Sequence, residues 1–170
     1  MSIEKGVRDI ANFIEIAART APKARGIDNI IITVFEKDEM GGLADKMIET
    51  GKGTSRPQTF ERDAACVRQS ECAVIIGTIQ KTIGLDCGFC GLPDCSSAEE
   101  KGITCAYNSG DLGIAAGSAV AQAAAFHIDN RILYTMGYTA VKNNMLEKDV
   151  VMALGIPLSA TGKNIFFDRK

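Results

Sequence analysis

Residues 72–79, Cys-Ala-Val-Ile-Ile-Gly-Thr-Ile, form an almost unbroken apolar and β-branched run of strand length. A strand with one wet face alternates apolar and polar residues. A continuous apolar run belongs instead to a sheet covered by helices on both faces. Two similar runs lie on either side of it in the chain. NIIITVFE occupies 29–36, and DVVMALGI occupies 149–156 and is stopped by Pro157. A further strand is predicted for RILYTMGY, 131–138, from its β-branched and aromatic content.

Between these runs the apolar spacing changes to that of helices. Ile3, Val7, Ile10, Ile14 and Ala17 recur at intervals of three and four and mark one helix face. Ser2 is placed to cap that helix, which should end before Pro22. Leu43 and Met47 lie on a second helix ending near Gly51, and a third covers about 60–69. Asp111 or Ser109 is placed to cap a long small-residue helix that reaches about Phe126. A short helix is expected around 140–146. Helices and strands mixed in this way predict an α/β or α+β fold in three layers. The expected organisation is a single domain, 1–170, with residues 82–107 inserted as a Cys-rich loop too short to own a core.

Composition narrows the function classes. Hydrophobic residues make up 46% and charged residues 24%, as in ordinary globular chains. Lys and Arg number 19 against 21 Asp and Glu, a net −2 with no basic block, which argues against nucleic acid as a partner. The longest apolar stretch, 112–128, is broken by Ser118, Gln122 and His127 and is too short for a membrane span. The N-terminus, MSIEKGVRDI, lacks the apolar core of a signal peptide. A cytoplasmic protein without membrane partners is therefore expected. With no Trp and few Tyr and Phe, no base-stacking platform is indicated.

Cysteine is the anomaly. Four of the six cysteines, Cys87, Cys90, Cys95 and Cys105, fall within 19 residues in the spacing C-x2-C-x4-C-x9-C. In the cytoplasm such a cluster reads as metal binding before disulfides. The close pair lets one turn of chain deliver two ligands. Gly88 and Gly91 each follow a ligand and allow the backbone to fold over a bulky inorganic core. Structural zinc sites usually draw four cysteines from two separated close pairs. Three cysteines in one Gly-rich loop plus one remote cysteine favour a [4Fe–4S] cluster, with zinc as the alternative. Cys66 and Cys72 read as small buried hydrophobes.

Other residues carry weaker signals. His127, the sole histidine, reads as a helix-end residue. Ser159–Lys163 lacks the G-x4-G-K-[ST] pattern of a phosphate loop. Asp86 and Asp94 read as turn residues whose charge would lower a cluster's potential. Gly113, Gly117, Ala121 and Ala125 form a smooth stripe, either packed on the sheet or serving as a homodimer seam.

The Cys87–Cys105 block, with residues 108–137 (NSGDLGIAAGSAVAQAAAFHIDNRILYTMG) and 153–169 (ALGIPLSATGKNIFFDR), resembles a family of uncharacterised ferredoxin-domain-containing proteins of anaerobic bacteria and archaea. That resemblance implies an iron–sulfur cluster on the four cysteines. IEIAARTAPKARGIDN (14–29), DLGIAAGSAVAQAAAFHID (111–129) and VVMALGIP (150–157) are similar to the flavin-loop segment, central dimer helix and last strand of flavin-dependent nitroreductases. The fold implied is an α+β, three-layer nitroreductase-like sandwich carrying a Cys-rich metal-binding loop insertion. It also implies a homodimer with FMN at the subunit interface. The nitroreductase Ser and Asn positions are filled here by Lys23 and Gly26, and Arg19, Lys23 and Arg25 are the candidates to hold the FMN phosphate. Two functions follow as expectations. One is a redox protein that passes electrons to a partner protein or a flavin. The other is a non-enzymatic binding or assembly module stapled by a structural metal.

Overall fold

In the computed structural model, which describes residues 2–147 and 149–167, residues 72–79 form the second strand of a four-stranded antiparallel sheet. The strands are β1 (Ile30–Phe35), β2 (Cys72–Ile79), β3 (Asp129–Asn130) and β4 (Val150–Ser159), in spatial order β1-β2-β4-β3. Ile32 lies opposite Ile76, and Ile75 lies opposite Gly155. Seven of the eight β2 residues are buried, because helices cover both faces of the sheet.

The two faces divide by strand alternation. Cys72, Val74 and Ile76 of β2 join Ile156 and Leu158 of β4 under α1 (Ile3–Thr20) and α5 (Ala106–Ala125). Ala73 and Ile75 point the other way, with Ala153, beneath α2 (Met40–Lys52), α3 (Pro57–Gln69) and α6 (Tyr134–Lys142). The result is the expected α+β sandwich of three layers. Each fully buried Ile, Leu or Met in these cores contributes about 1.5–3 kcal/mol of transfer free energy.

Most helix boundaries follow the sequence. Ser2 Oγ accepts the Lys5 N–H at 3.2 Å and caps α1, which ends two residues before Pro22. Pro57 opens α3, where its missing N–H costs nothing. Helix α5 ends with His127 in the left-handed region at φ 57°. The His127 and Ile128 N–H groups return to the carbonyls of Ala124 and Ala123, as in a Schellman turn.

Three expectations are corrected. Residues 134–142 are helical, so most of the strand expected at 131–138 is the helix α6, preceded by the two-residue β3 at 129–130, and the short helix expected at 140–146 is the end of α6, which both starts and stops earlier. The β-favouring residues are overruled by packing. Thr135, Met136, Thr139 and Ala140 bury one helix face, Thr135 Oγ1 donates to Asp63 at 2.8 Å, and Thr139 Oγ1 donates to the Thr135 carbonyl. Gly137 allows α6 to lie on β4, where an added Cβ would collide with the Ala153 carbonyl.

Strand β4 does not stop at Pro157. The Gly155 N–H bonds to Leu133 on the β3 side, so the ring nitrogen of Pro157 two residues on faces that same side. There β3 pairs only with Leu158 and Ser159, and no ladder donor is missed at Pro157. Helix α5 begins at Ala106, ahead of Ser109 and Asp111, and neither residue caps it. Asp111 is instead buried and receives the Ala24 N–H at 3.1–3.2 Å.

Candidate metal centre

The four clustered cysteines lie on the segment that joins β2 to α5, whose two ends are fixed by buried polar contacts. Asn108 in the first turn of α5 is 1% exposed. Its side-chain amide donates to the carbonyls of Ile79 and Lys81, and its oxygen accepts from Asn29 at 3.1 Å. The exit of β2 and the start of α5 are therefore tied together. Arg25, in a 3-10 turn (Ala24–Gly26) that follows α1, donates to the carbonyls of Ile83 and Gly84 at 2.8 and 3.0 Å. Ile83, 3% exposed, plugs the root of the loop into the body.

Beyond that root the chain winds through left-handed conformations. Gly88 at φ 66° and Gly91 at φ 86° make the tight turn around Cys90, closed by the Gly91 N–H on the Gly88 carbonyl at 2.9 Å. A short helix, α4 (Cys95–Glu100), follows. Asp94 caps it through the Ser97 N–H at 2.7 Å, and Ser97's backbone and side chain together hold the Asp94 carboxyl below its ordinary value. Thr82 Oγ1 to Glu99 and Gln80 Nε2 to the Ile103 carbonyl strap α4 and the strand exit together. Cys105 then leads directly into α5.

This path brings Cys87, Cys90, Cys95 and Cys105 onto the wall of one cavity, together with buried Ile83 and Ala98. Among the described residues no disulfide joins any of the six cysteines. Cys87 is exposed, Cys90 and Cys95 are half-buried, and Cys105 is buried. Among the described residues no three His, Cys, Asp or Glu side chains converge on a single ion position. The Asp86 N–H donates to Cys95 Sγ at 3.4 Å, the kind of amide-to-sulfur contact that stabilises a negative thiolate.

Cys66 and Cys72 lie apart from this cavity and are buried in the body. Burial pushes the Cys72 thiol up to about 12. The Cys66 thiol donates to the Ile165 carbonyl at 3.6 Å.

The candidate phosphate cations are engaged with protein oxygens. Arg19 donates to Asp28 at 2.6 Å and to the Ile30 carbonyl at 2.7 Å. Lys23 Nζ caps the end of α1 through the carbonyls of Arg19 and Ala21 at 2.6 and 2.9 Å. Arg25 is spent on the loop root, as described. Asn108 and the buried role of Asp111 were not legible in the sequence, since each carries long-range contacts and sits in an unremarkable helical context.

Residues 101–169 match the model of a family described as uncharacterized protein containing a ferredoxin domain. An uncharacterized protein of Archaeoglobus fulgidus is 42% identical over 174 residues, covering 97% of this chain and 92% of its own length. The chain belongs to this ferredoxin-domain family.

The fold of the chain is that of nitroreductases. A nitroreductase with bound FMN from Desulfitobacterium hafniense superposes with a TM-score of 0.64 at 11% identity, over 91% of this chain and 78% of that one. A putative nitroreductase in complex with FMN from Desulfovibrio desulfuricans gives 0.60 at 12% identity, over 92% and 75%. The stripe Gly113, Gly117, Ala121 and Ala125 faces outward, and nothing lies within 4 Å of a Cβ built on either glycine. The sheet is packed by the opposite side of α5, through Leu112, Ala115, Ala116, Ala119 and Ala123. Beside the stripe, Phe13 and Phe126 meet at 5.7 Å between ring centroids while both remain exposed. Among the described residues no helix is long and apolar enough to cross a membrane.

Proposed function

We propose that this protein binds a [4Fe–4S] cluster through Cys87, Cys90, Cys95 and Cys105 and acts in one-electron transfer to a redox partner protein or a flavin. The observation that carries this reading is that four cysteines from one 19-residue stretch line a single cavity. Structural zinc sites usually draw their cysteines from two separated close pairs, whereas three cysteines in one Gly-rich loop with a fourth further on suit a cubane cluster, which takes each thiolate on a different iron. Membership of a family described by a ferredoxin domain supports the same reading. When bound, the cluster supplies reversible one-electron chemistry. The chain holds the thiolates, partly excludes water at Cys105 and leaves Cys87 at the surface, where a docked partner has a short route to the site. No side chain needs to act as an acid or base.

FMN is a second part of the proposal, supported by the fold shared with FMN-containing nitroreductases. Arg19, Lys23 and Arg25 are the candidates to hold its phosphate, and each donates to protein oxygens in this structure. The outward-facing uncharged stripe of α5 supports a homodimer in which this helix meets its symmetry mate.

Anaerobic purification tests the reading. About four irons and four acid-labile sulfides per chain are expected, with the broad absorption of an iron–sulfur protein. Cys95→Ala should abolish electron transfer while circular dichroism stays close to wild type, because both cores lie outside the loop. Stoichiometric zinc without labile sulfide would overturn the reading in favour of a metal-stapled binding module. A flavin spectrum released on denaturation tests FMN in the same sample.

A further inference from the structure

Asp86 and Cys95, nine positions apart, are joined by two hydrogen bonds that run in opposite directions. The Cys95 N–H donates to Asp86 Oδ1 at 2.8 Å, and the Asp86 N–H donates to Cys95 Sγ at 3.4 Å. Cys95 is the first residue of α4, so its N–H has no acceptor within that helix. The ring formed by the two bonds closes the loop that holds Cys87 and Cys90. Asp86 itself sits at φ 48°, a region that Asp and Asn adopt more readily than other non-glycine residues. The sequence reads Asp86 as a turn residue whose charge would lower a cluster's potential. The structure gives its carboxylate a defined acceptor role one residue before Cys87.

We infer that Asp86 is a positioning residue for the cluster site. The inference rests on the cluster reading above. Its carboxylate orients the Cys95 backbone, its N–H orients the Cys95 sulfur, and its place beside Cys87 fixes two of the four ligands relative to each other. Groups that orient metal ligands typically contribute about 10–100-fold to metal affinity. The carboxylate has a second effect. Accepting one electron adds one negative charge near a group that is already negative, so Asp86 lowers the midpoint potential of the site. The arrangement thus couples a structural latch to a tuning charge in one side chain.

Two substitutions separate these effects. Asparagine keeps an acceptor oxygen and tolerates the backbone conformation but removes the charge, whereas alanine removes both. After anaerobic loading, Asp86→Ala should lose iron to a chelator about tenfold faster than wild type. Asp86→Asn should retain iron nearly as well as wild type and show a higher midpoint potential in dithionite titrations followed by EPR. Three results would overturn the inference: wild-type iron retention in Asp86→Ala, loss in Asp86→Asn equal to that in Asp86→Ala, or an unchanged potential in Asp86→Asn. A wild-type chain that takes up no iron would defeat the cluster reading instead. Amide exchange at Cys95 in the metal-free protein then still decides the latch. It should be slow in wild type and Asp86→Asn and about tenfold faster in Asp86→Ala, as loss of a hydrogen bond worth about 1.4 kcal/mol gives, and equal rates in all three would overturn it.

Discussion

Arg25 donates one guanidinium nitrogen to the carbonyls of both Ile83 and Gly84, at 2.8 and 3.0 Å. A turn that follows the first helix is thereby bolted to the root of the cysteine loop, 58 positions further along the chain. The preceding residue, Ala24, gives its N–H to buried Asp111 on α5. The turn is therefore held between the helix that Cys105 leads into and the strand exit that leads to Cys87.

Arg25 sits at φ 56°, where any residue with a Cβ is strained. Arg25→Ala loses both contacts, about 1 kcal/mol each, and keeps the strain. Arg25→Gly loses the same contacts but relieves the strain, by about 1–2 kcal/mol. Urea denaturation should rank wild type above Arg25→Gly and Arg25→Gly above Arg25→Ala. If Arg25→Ala is the more stable of the two variants, the backbone argument fails.

Gly117 tests the α5 seam. In the single chain nothing lies within 4 Å of a Cβ at this position. Gly117→Leu should leave the fold intact and raise helix stability by up to about 1 kcal/mol. Where the helix of a second copy packs against Gly117, the same leucine separates the two backbones. The expected outcome is a monomer by light scattering with an unchanged circular dichroism spectrum, set against a dimeric wild type. Dimeric Gly117→Leu protein would move the interface elsewhere.

Gly137 is the opposite case. A Cβ there meets the backbone of Ala153 and Leu154, which cannot rotate away as a side chain can. Gly137→Ala should destabilise by about 3 kcal/mol or more, although alanine is the better helix former. Chemical denaturation measures this directly, and a neutral result would mean that α6 does not lie on β4 as described.

Cys72 makes stability depend on pH at the alkaline end. Burial, foremost, raises its thiol from 9.0 to about 12, with Glu36 and Glu71 adding to the rise and Arg8 and Lys37 opposing it. The unfolded chain releases this proton near pH 9, while the folded chain keeps it until about pH 12. Unfolding therefore becomes easier as pH rises through that window, and Cys72 contributes no pH dependence below it. Thermal melts from pH 8 to 11 should fall less steeply in Cys72→Ala than in wild type. In the metal-free protein at pH 8, iodoacetamide should label exposed Cys87 first and leave Cys72 unlabelled until unfolding.

The unbroken apolar run at 72–79 determined that helices cover the sheet on both faces, because no strand with a wet face can be that apolar. The C-x2-C-x4-C-x9-C spacing likewise determined which cysteines share a loop, because it is a local property of the chain. The tertiary structure decided the features that depend on distant neighbours. Residues 134–142 have strand-like composition and became a helix because Gly137 meets β4 and Thr135 meets Asp63. Pro157 stayed within β4 because its edge neighbour leaves the ladder at that point. Asp111 looked like a helix cap and became a buried acceptor for Ala24, 87 positions away. The outward face of the small-residue stripe was also settled only when α5 found the sheet with its other side. Spacing along the chain encodes local conformation and which face is apolar. Which partner fills each contact is set by closing the two cores around the sheet, and that information is spread over the whole chain.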